Sequence, residues 1–190
     1  MTLSQPDPLR YVITGGPSAG KEALFDALQA RDLPCSAHES AREIYRQHRE
    51  RLGRHLQVAD RREYSREVLA AFIQEYCEHK TGPWFFNRGI PDGYGWDRFF
   101  GLSPYPELEE ATRLYRYDKV FVLDVLDGFE SADDLVFAKD REIPRVHELI
   151  VQGYYDAGYQ PIFVPADDAD SRVDFILANL PKPIQLNPGD

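Results

Sequence analysis

Arg10-Tyr11-Val12-Ile13-Thr14 runs straight into Gly15-Gly16-Pro17-Ser18-Ala19-Gly20-Lys21, and the reading of this stretch decides the fold. The first five residues, rich in β-branched and aromatic side chains, predict a short strand that the glycines end. The next seven fit G-x-x-x-x-G-K. Glycines let the backbone wrap closely, so that successive N–H groups converge on an anion. From Lys21 the apolar period changes to 3.6, with Ala23, Leu24, Ala27 and Leu28 forming a stripe that ends near Ala30. That helix would aim its positive N-terminal end at the same anion. Lys21 adds a full charge for the outer phosphates. The competing reading, a tight turn with an incidental lysine, lacks a reason for the strand–loop–helix setting that this motif requires.

The same residues contain Gly16-Pro17-Ser18-Ala19-Gly20, which fits the G-x-S-x-G turn of serine hydrolases. That turn needs an oxyanion loop from an earlier strand. Only one strand precedes Ser18, so the hydrolase reading falls. At the eighth position, where the phosphate motif wants a Ser or Thr hydroxyl for Mg²⁺, the chain carries Glu22. A carboxylate also binds Mg²⁺, but it is longer and negative. Nucleotide bound without metal, metal bound unusually, and nucleotide binding lost all stay open at this point.

Working outward, a weak second strand is expected over Pro34–Ala37. A helix is expected from Ser40, with Ala41, Ile44 and Tyr45 on one face and Arg42, Glu43 and Arg46 among its solvated charges. A longer helix should cover Asp60 to His79, with Tyr64, Val68, Leu69, Phe72, Ile73 and Tyr76 as its stripe, broken by Gly82-Pro83. Trp84-Phe85-Phe86 reads as a buried strand. Residues 93–107, rich in Gly, Pro and aromatics, read as an ordered irregular loop, followed by a helix over Glu107–Tyr115. Lys119–Leu123 is the clearest apolar strand. Pro144 opens a helix running to about Ala157, with Gly158 as its stop. Gln160–Val164 is a further strand, and Asp168 or Asp170 caps a last helix ending near Leu180.

Strands alternating with helices imply a mostly parallel sheet of about five strands covered on both faces, a three-layer, doubly wound α/β fold. Ligands of such sheets sit beyond the carboxyl ends of the strands. One domain is expected over residues 10–180, with a flexible segment at 1–9 and an extended tail at 181–190.

The 190 residues are 43% hydrophobic and 28% charged, enough to bury a core without staples. Two cysteines, Cys35 and Cys77, exclude a disulfide scaffold and a Cys-based zinc cluster. The five histidines have no metal spacing. No run approaches about 18 apolar residues, so no membrane span is expected. The polar start, Met1–Pro8, carries no basic-then-apolar signal, and the cytoplasm is the expected compartment. The net charge of −10 argues against nucleic acid or anionic membrane as partners. Seventeen of the 22 basic residues are Arg, which suits two-pronged contacts to phosphate or carboxylate. The aromatic cluster Tyr94, Trp96, Phe99, Phe100 and Tyr105 reads as packing, with the wall of a substrate pocket as the alternative.

Several segments in order, VITGGPSAGK at 12–21, HESARE at 38–43, FFNRGIPDG at 85–93, RYDKVFVLD at 116–124, then YYDAGYQPIFVP and SRVDFIL, resemble the P-loop ATPase/kinase-like family of AAA-type ATPase domains. Within it they are similar to the nicotinamide-riboside kinase domain of bacterial NAD regulators. The resemblance implies a doubly wound sheet with the phosphate strand central. It also implies binding of ATP or GTP, with Mg²⁺, and transfer of the γ-phosphoryl group to a small nucleoside-like acceptor or to water. By the same resemblance, Gly15 to Glu22 hold the nucleotide phosphates and Glu39 is the candidate base. Arg42 orients Glu39 or touches substrate, and Arg88 and Asp92 lie on the substrate side. Arg141, near Lys139 and Arg145, is a lid arginine, and Arg172 lies where a base would stack. Asn87 stands where the family has an Asp that helps hold Mg²⁺ through water, so Glu22 and Asn87 are the altered metal positions. Each role has a plainer rival: a helix N-terminal carboxylate for Glu39, a loop ion pair for Arg88 and Asp92, a solvated cluster for Arg141, a helix-start arginine for Arg172. A nucleotide-sensing or partner-binding module with little turnover is the alternative function. Acceptor identity, the choice of adenine or guanine, and oligomeric state are not written in these motifs.

Overall fold

The computed structural model describes residues 7–37, 39–125 and 142–181. Its sheet has four parallel strands, β1 (Leu9–Thr14), β2 (Pro83–Asn87), β3 (Lys119–Leu123) and β4 (Ile162–Val164), in the order β2-β1-β3-β4. The glycine loop therefore leaves the carboxyl end of a central strand, as expected. Val12 lies between Phe86 and Val120 in the register. Around the sheet lie α1 (Lys21–Ala30), α2 (Ser40–Leu52), α3 (Arg61–Glu78), α4 (Asp92–Phe99), α5 (Pro106–Leu114), α6 (Ile143–Asp156) and α7 (Ala169–Ala178).

The period of two along β1 sorts the core into two layers. Tyr11 and Ile13 face α1 and α7, packing with Leu24, Leu28, Val173 and Ile176. Val12 points the other way, into a layer with Leu69 and Phe72 of α3, Leu108 of α5, and Val146, Ile150 and Tyr154 of α6. Both faces of the sheet are covered, which is why its strands read as unbroken apolar runs.

Four expectations are corrected. The strand at Pro34–Ala37 shrinks to a single parallel bridge, Cys35 to Phe85, made by Ser36 N to Phe85 O (2.9 Å) and Phe85 N to Pro34 O (2.9 Å); Pro34 has no N–H to extend it. Leu9, assigned to a loose N-terminus, is the first residue of β1 and donates its N–H to Gly82 O at 2.7 Å. The last strand starts at Ile162 rather than Gln160. Residues 93–99, read as irregular because of Gly93, Gly95 and the aromatics, are helical in α4. Gly95 is there for contact rather than for a turn. A Cβ on it would lie 2.6 Å from both Cα and N of Ile150 in α6, and one on Gly153 would lie 2.8 Å from Pro91 O. The two helices meet backbone to backbone, and composition alone does not separate that use of glycine from a loop. Gly95→Ala is expected to cost about 1–3 kcal/mol by overpacking, seen as a lower denaturant midpoint with an unchanged m-value. An unchanged midpoint would mean that α4 and α6 can part freely.

At the last helix the choice between two caps is settled: Asp168 Oδ1 accepts the Ser171 N–H at 2.9 Å. Among the described residues, no helix is long and apolar enough to cross a membrane. The expected lid residues Lys139 and Arg141, the segment 1–6 and the tail from 182 lie outside the described residues.

Candidate functional site

The loop between β1 and α1 has the shape its composition requires. Gly15 (φ 142°) and Gly20 (φ 77°) occupy the left-handed half of backbone space. Three non-glycine residues among those described share that sign, and two are here: Ser18 (60°) in the loop and Arg88 (73°) just after β2. Such backbone strain clusters at functional sites. Gly20 is the N-cap of α1 and offers no side chain, so the first-turn amides of that helix have no side-chain cap. Ser18 Oγ is buried without a hydrogen-bond partner.

Lys21 folds back over the loop. Its Nζ donates to Gly16 O (2.9 Å) and Gly15 O (3.2 Å). Burial, with the Arg88 charge nearby, brings its pKa down to about 7. Arg88 is the electrostatic centre of the site: Nε donates to Glu39 Oε1 at 2.7 Å, and Nη1 to Asp92 Oδ1 and Gly15 O, each at 3.1 Å. Burial alone would raise the Glu39 carboxyl, but Arg88 and then Lys21 overcome it and hold the group at about 2. Asp92 is fully engaged. Thr14 Oγ1 donates to Oδ1 (2.7 Å), and Gly89 N (3.1 Å) and Tyr154 OH (2.5 Å) donate to Oδ2. From α6, His147 Nδ1 accepts the Gly16 N–H at 3.2 Å, and burial lowers its pKa first of all.

Arg172 is buried and aims its whole fork at backbone. Nε donates to Pro165 O (3.0 Å), Nη1 to Ala19 O (2.7 Å) and Nη2 to Asp124 O (3.0 Å). It ties the end of the phosphate loop to the ends of β3 and β4. Arg42 donates to Glu22 Oε2 at 3.3 Å rather than serving Glu39 alone.

A cavity of about 1020 Å³ opens over the loop. Pro17 to Glu22, Glu39, Arg42, Asn87, Arg88, Asp92 and Arg172 all line it. Past Arg88 it continues into a chamber walled by Tyr45, Tyr64, Phe72, Trp96, Phe100 and Tyr105. The aromatic cluster serves both readings: Tyr94 and Phe99 pack against the core without lining the cavity, Trp96 and Tyr105 do both, and Phe100 lines the cavity. Tyr45 and Tyr64 had read only as core stripe. Arg61, the first residue of α3, is 4% exposed and lines the chamber. Its burial is a tertiary fact, with no local signal in the sequence.

For a divalent ion the donor set is thin. No group of three His, Cys, Asp or Glu among the described residues forms a metal cluster. Glu22 has a side chain 77% exposed and turned to Arg42. Asn87 Oδ1, however, is buried, without a partner, in a residue that lines the cavity. These fit an ion carried in by the nucleotide and held by phosphate oxygens and water, with Asn87 accepting from a water and Glu22 free to swing in, rather than a protein cage.

The AAA domain family matches the sequence over residues 10–172. The chain belongs to that family. No curated protein matches it by sequence. Among solved structures it is similar to deoxyadenosine kinase from M. mycoides, with a TM-score of 0.63, 12% identity, and 90% of this chain and 97% of that one covered. It is also similar to NadR in complex with NAD and AMP-PNP, with a TM-score of 0.58 and 16% identity. The superposition takes in 97% of this chain and 52% of NadR, so the chain spans about half of that protein. Thymidylate kinase from Candida albicans gives a TM-score of 0.58 at 12% identity, over 95% and 97% of the two chains. At such identities the likeness establishes the α/β P-loop kinase fold of this AAA domain.

Proposed function

We propose that the chain binds ATP or GTP on the loop Gly15–Glu22 and transfers the γ-phosphoryl group to a hydroxyl of a small, nucleoside-like acceptor, with water as the competing acceptor. The observation that carries this reading is the continuity of one cavity from the phosphate loop, past Glu39 and Arg88, into an aromatic chamber. Aromatic walls suit a flat ring. The neighbours in fold, a deoxyadenosine kinase and a thymidylate kinase among them, add weight to it.

Loop amides and Lys21 take the β- and γ-phosphates. The acceptor hydroxyl hydrogen-bonds to Glu39, which Arg88 holds in place. As the acceptor oxygen bonds to the γ-phosphorus, the bond to the β-phosphate oxygen breaks and the hydroxyl proton leaves. A carboxyl held near 2 is ionised at every physiological pH, so Glu39 orients the hydroxyl throughout and takes its proton only late. Mg²⁺, when bound, neutralises charge on the phosphate oxygens. Arg141 takes the lid contact to the transferring group on the strength of family resemblance. Arg172 acts through the loop it tethers.

The test measures ADP or GDP release with a panel of nucleosides, with and without Mg²⁺. Acceptor-dependent release supports the kinase. Release that no acceptor accelerates, with nucleotide-induced stabilisation intact, favours the nucleotide-sensing module, for which the neutral Asn87 and outward Glu22 speak. In that case Glu22→Thr with Asn87→Asp should not raise turnover, whereas in a weakened enzyme it should.

The Lys21 ammonium implies a pH dependence. Free, it loses its proton above about pH 7; with phosphate beside it the proton is retained. Triphosphate affinity should therefore be full below pH 7 and fall by up to about tenfold per pH unit above it. Titrations at pH 7.5, 8.25 and 9 check this. A flat profile would show that the ammonium stays charged in the empty site.

A further inference from the structure

The phosphate motif fixes glycine at positions 15 and 20 and leaves position 16 open, yet the chain has Gly16 there. The reason is α6. A Cβ on Gly16 would lie 2.9 Å from Cβ and 3.3 Å from Cα of His147. The peptide between Gly15 and Gly16 is thus flanked by two residues that restrain its plane little, since glycine takes either sign of φ. That plane matters, because its carbonyl seats two cations. Gly15 O accepts from Lys21 Nζ at 3.2 Å and from Arg88 Nη1 at 3.1 Å. The N–H of a trans peptide points away from its C=O, and here Gly16 N donates to His147 Nδ1 at 3.2 Å. Two turns further along α6, Tyr154 OH donates to Asp92, the carboxylate that also accepts from Arg88. One helix therefore reaches the site twice, once at the loop peptide and once through the partner of Arg88.

We propose that His147 is a positioning residue, which by accepting the Gly16 N–H locks the Gly15–Gly16 peptide in the orientation that seats Lys21 for the outer phosphates. This rests on the nucleotide-binding half of the reading given above. Phosphate competes for the Lys21 ammonium, so the loop needs a hold on this peptide that the ligand does not contest. His147 supplies one from behind the loop, outside the lining of the cavity. Turned over, the same peptide would set its N–H against Lys21 and Arg88, donor facing donors. The role demands one form of the ring. An imidazole nitrogen accepts only when it carries no proton, so Nδ1 is bare and the single proton sits on Nε2. Burial, the largest influence on the ring, disfavours the imidazolium; Asp124 and Glu148 pull the other way, and Lys21 adds to the burial.

The tautomer is read on the wild-type protein by long-range ¹H–¹⁵N NMR of the imidazole at pH 7.5, with Nδ1 expected unprotonated and Nε2 protonated. The role is read in two variants by calorimetric titration with non-hydrolysable analogues of ATP and GTP. His147→Leu keeps most of the volume and loses the acceptor. It should weaken the analogue that the wild type binds by about tenfold, the size of one buried hydrogen bond. His147→Asn loses the ring but keeps an acceptor on Cγ, Oδ1 in place of Nδ1, and should stay within about threefold of wild type. Packing alone would reverse that order, since a close-packed site tolerates an apolar residue of similar size better than a smaller amide. Unfolded material alters the stoichiometry of such a titration rather than its Kd. A proton on Nδ1 in the wild type overturns the proposal even if neither variant folds. So does an affinity that His147→Leu leaves unchanged, or that His147→Asn lowers as far; each leaves nucleotide binding standing. If the wild type binds neither analogue, the nucleotide reading itself fails, and the role of His147 with it.

Discussion

Lys21→Met should raise the melting temperature of the free protein by about 5 °C while abolishing the stabilisation that ATP or GTP confers. The two effects have one cause. An ammonium held among its own loop carbonyls, with the Arg88 guanidinium nearby, is 7% exposed, and its pKa falls from 10.5 to about 7. A base whose folded pKa is depressed binds fewer protons folded than unfolded between those two values. Stability therefore rises with pH across that window, and the penalty is fully present below about pH 7. Its size is on the order of a few kcal/mol, and each kcal/mol moves the midpoint of a chain this long by about 2–4 °C. Methionine fills the same volume without the charge and removes the penalty. It also removes the ammonium that the phosphate loop offers to the outer phosphates, so affinity should fall by two orders of magnitude or more. Thermal melts at pH 6.5 and 9, with and without nucleotide, separate these terms. In the variant the rise of stability between the two pH values should shrink. A variant less stable than wild type when free would mean that the ammonium's hydrogen bonds to Gly15 O and Gly16 O outweigh its desolvation.

The central strand, the loop and α1 were legible because their signals are local. Glycines at fixed offsets, a β-branched run before them and a 3.6 period after them leave little choice, and α1 begins and ends where that period does, at Lys21 and Ala30. Asp168 was half legible: two aspartates two residues apart can each cap, and geometry picks the first. What stayed hidden depends on partners distant in sequence. Gly95 looks like a loop residue until Ile150 of α6 lies against it. Arg172 is a plain helix-start arginine in sequence, and its three carbonyl partners come from segments ending at Ala19, Asp124 and Pro165. The chamber is hidden for a related reason. Tyr45, Tyr64 and Trp96 each have an apolar stripe or cluster to belong to, and only the relative placement of α2, α3 and α4 leaves a void between them. Lys21 was legible in the motif, whereas Glu39, Arg88 and Asp92 were named by family resemblance; in the structure Lys21 and Arg88 both donate to Gly15 O, and Arg88 also holds Glu39 and Asp92. In sequence Glu39 and Arg88 are 49 residues apart, and no local pattern pairs them.

Asp92→Asn should be the most destabilising single change in the site, by about 3–5 kcal/mol, which lowers the midpoint by roughly 10 °C. The carboxylate accepts from four groups on four parts of the chain: the Thr14 hydroxyl ending β1, the Arg88 guanidinium after β2, the Gly89 amide before α4, and the Tyr154 hydroxyl of α6. Tyr154 is certain to act as donor, since burial and the adjacent carboxylate push its ionisation far above the usual range. An amide of the same shape turns one acceptor into a donor facing donors, and it withdraws the charge beside a buried guanidinium. Both effects cost more than the loss of a hydrogen bond to water would. If Asp92 served chiefly as a substrate contact, its removal would reduce transfer and leave the melting curve in place. A double-mutant cycle decides between these roles. Tyr154→Phe alone removes one donor and should cost about 1–2 kcal/mol. In the Asp92→Asn background it should cost markedly less, because the hydroxyl then meets a neutral amide, oxygen or NH₂, in place of a carboxylate. Equal costs in both backgrounds would mean that Asp92 and Tyr154 act independently, and the buried junction between the phosphate loop and α6 would then have to be held by other contacts, chiefly Gly16 N to His147 and Gly95 against Ile150.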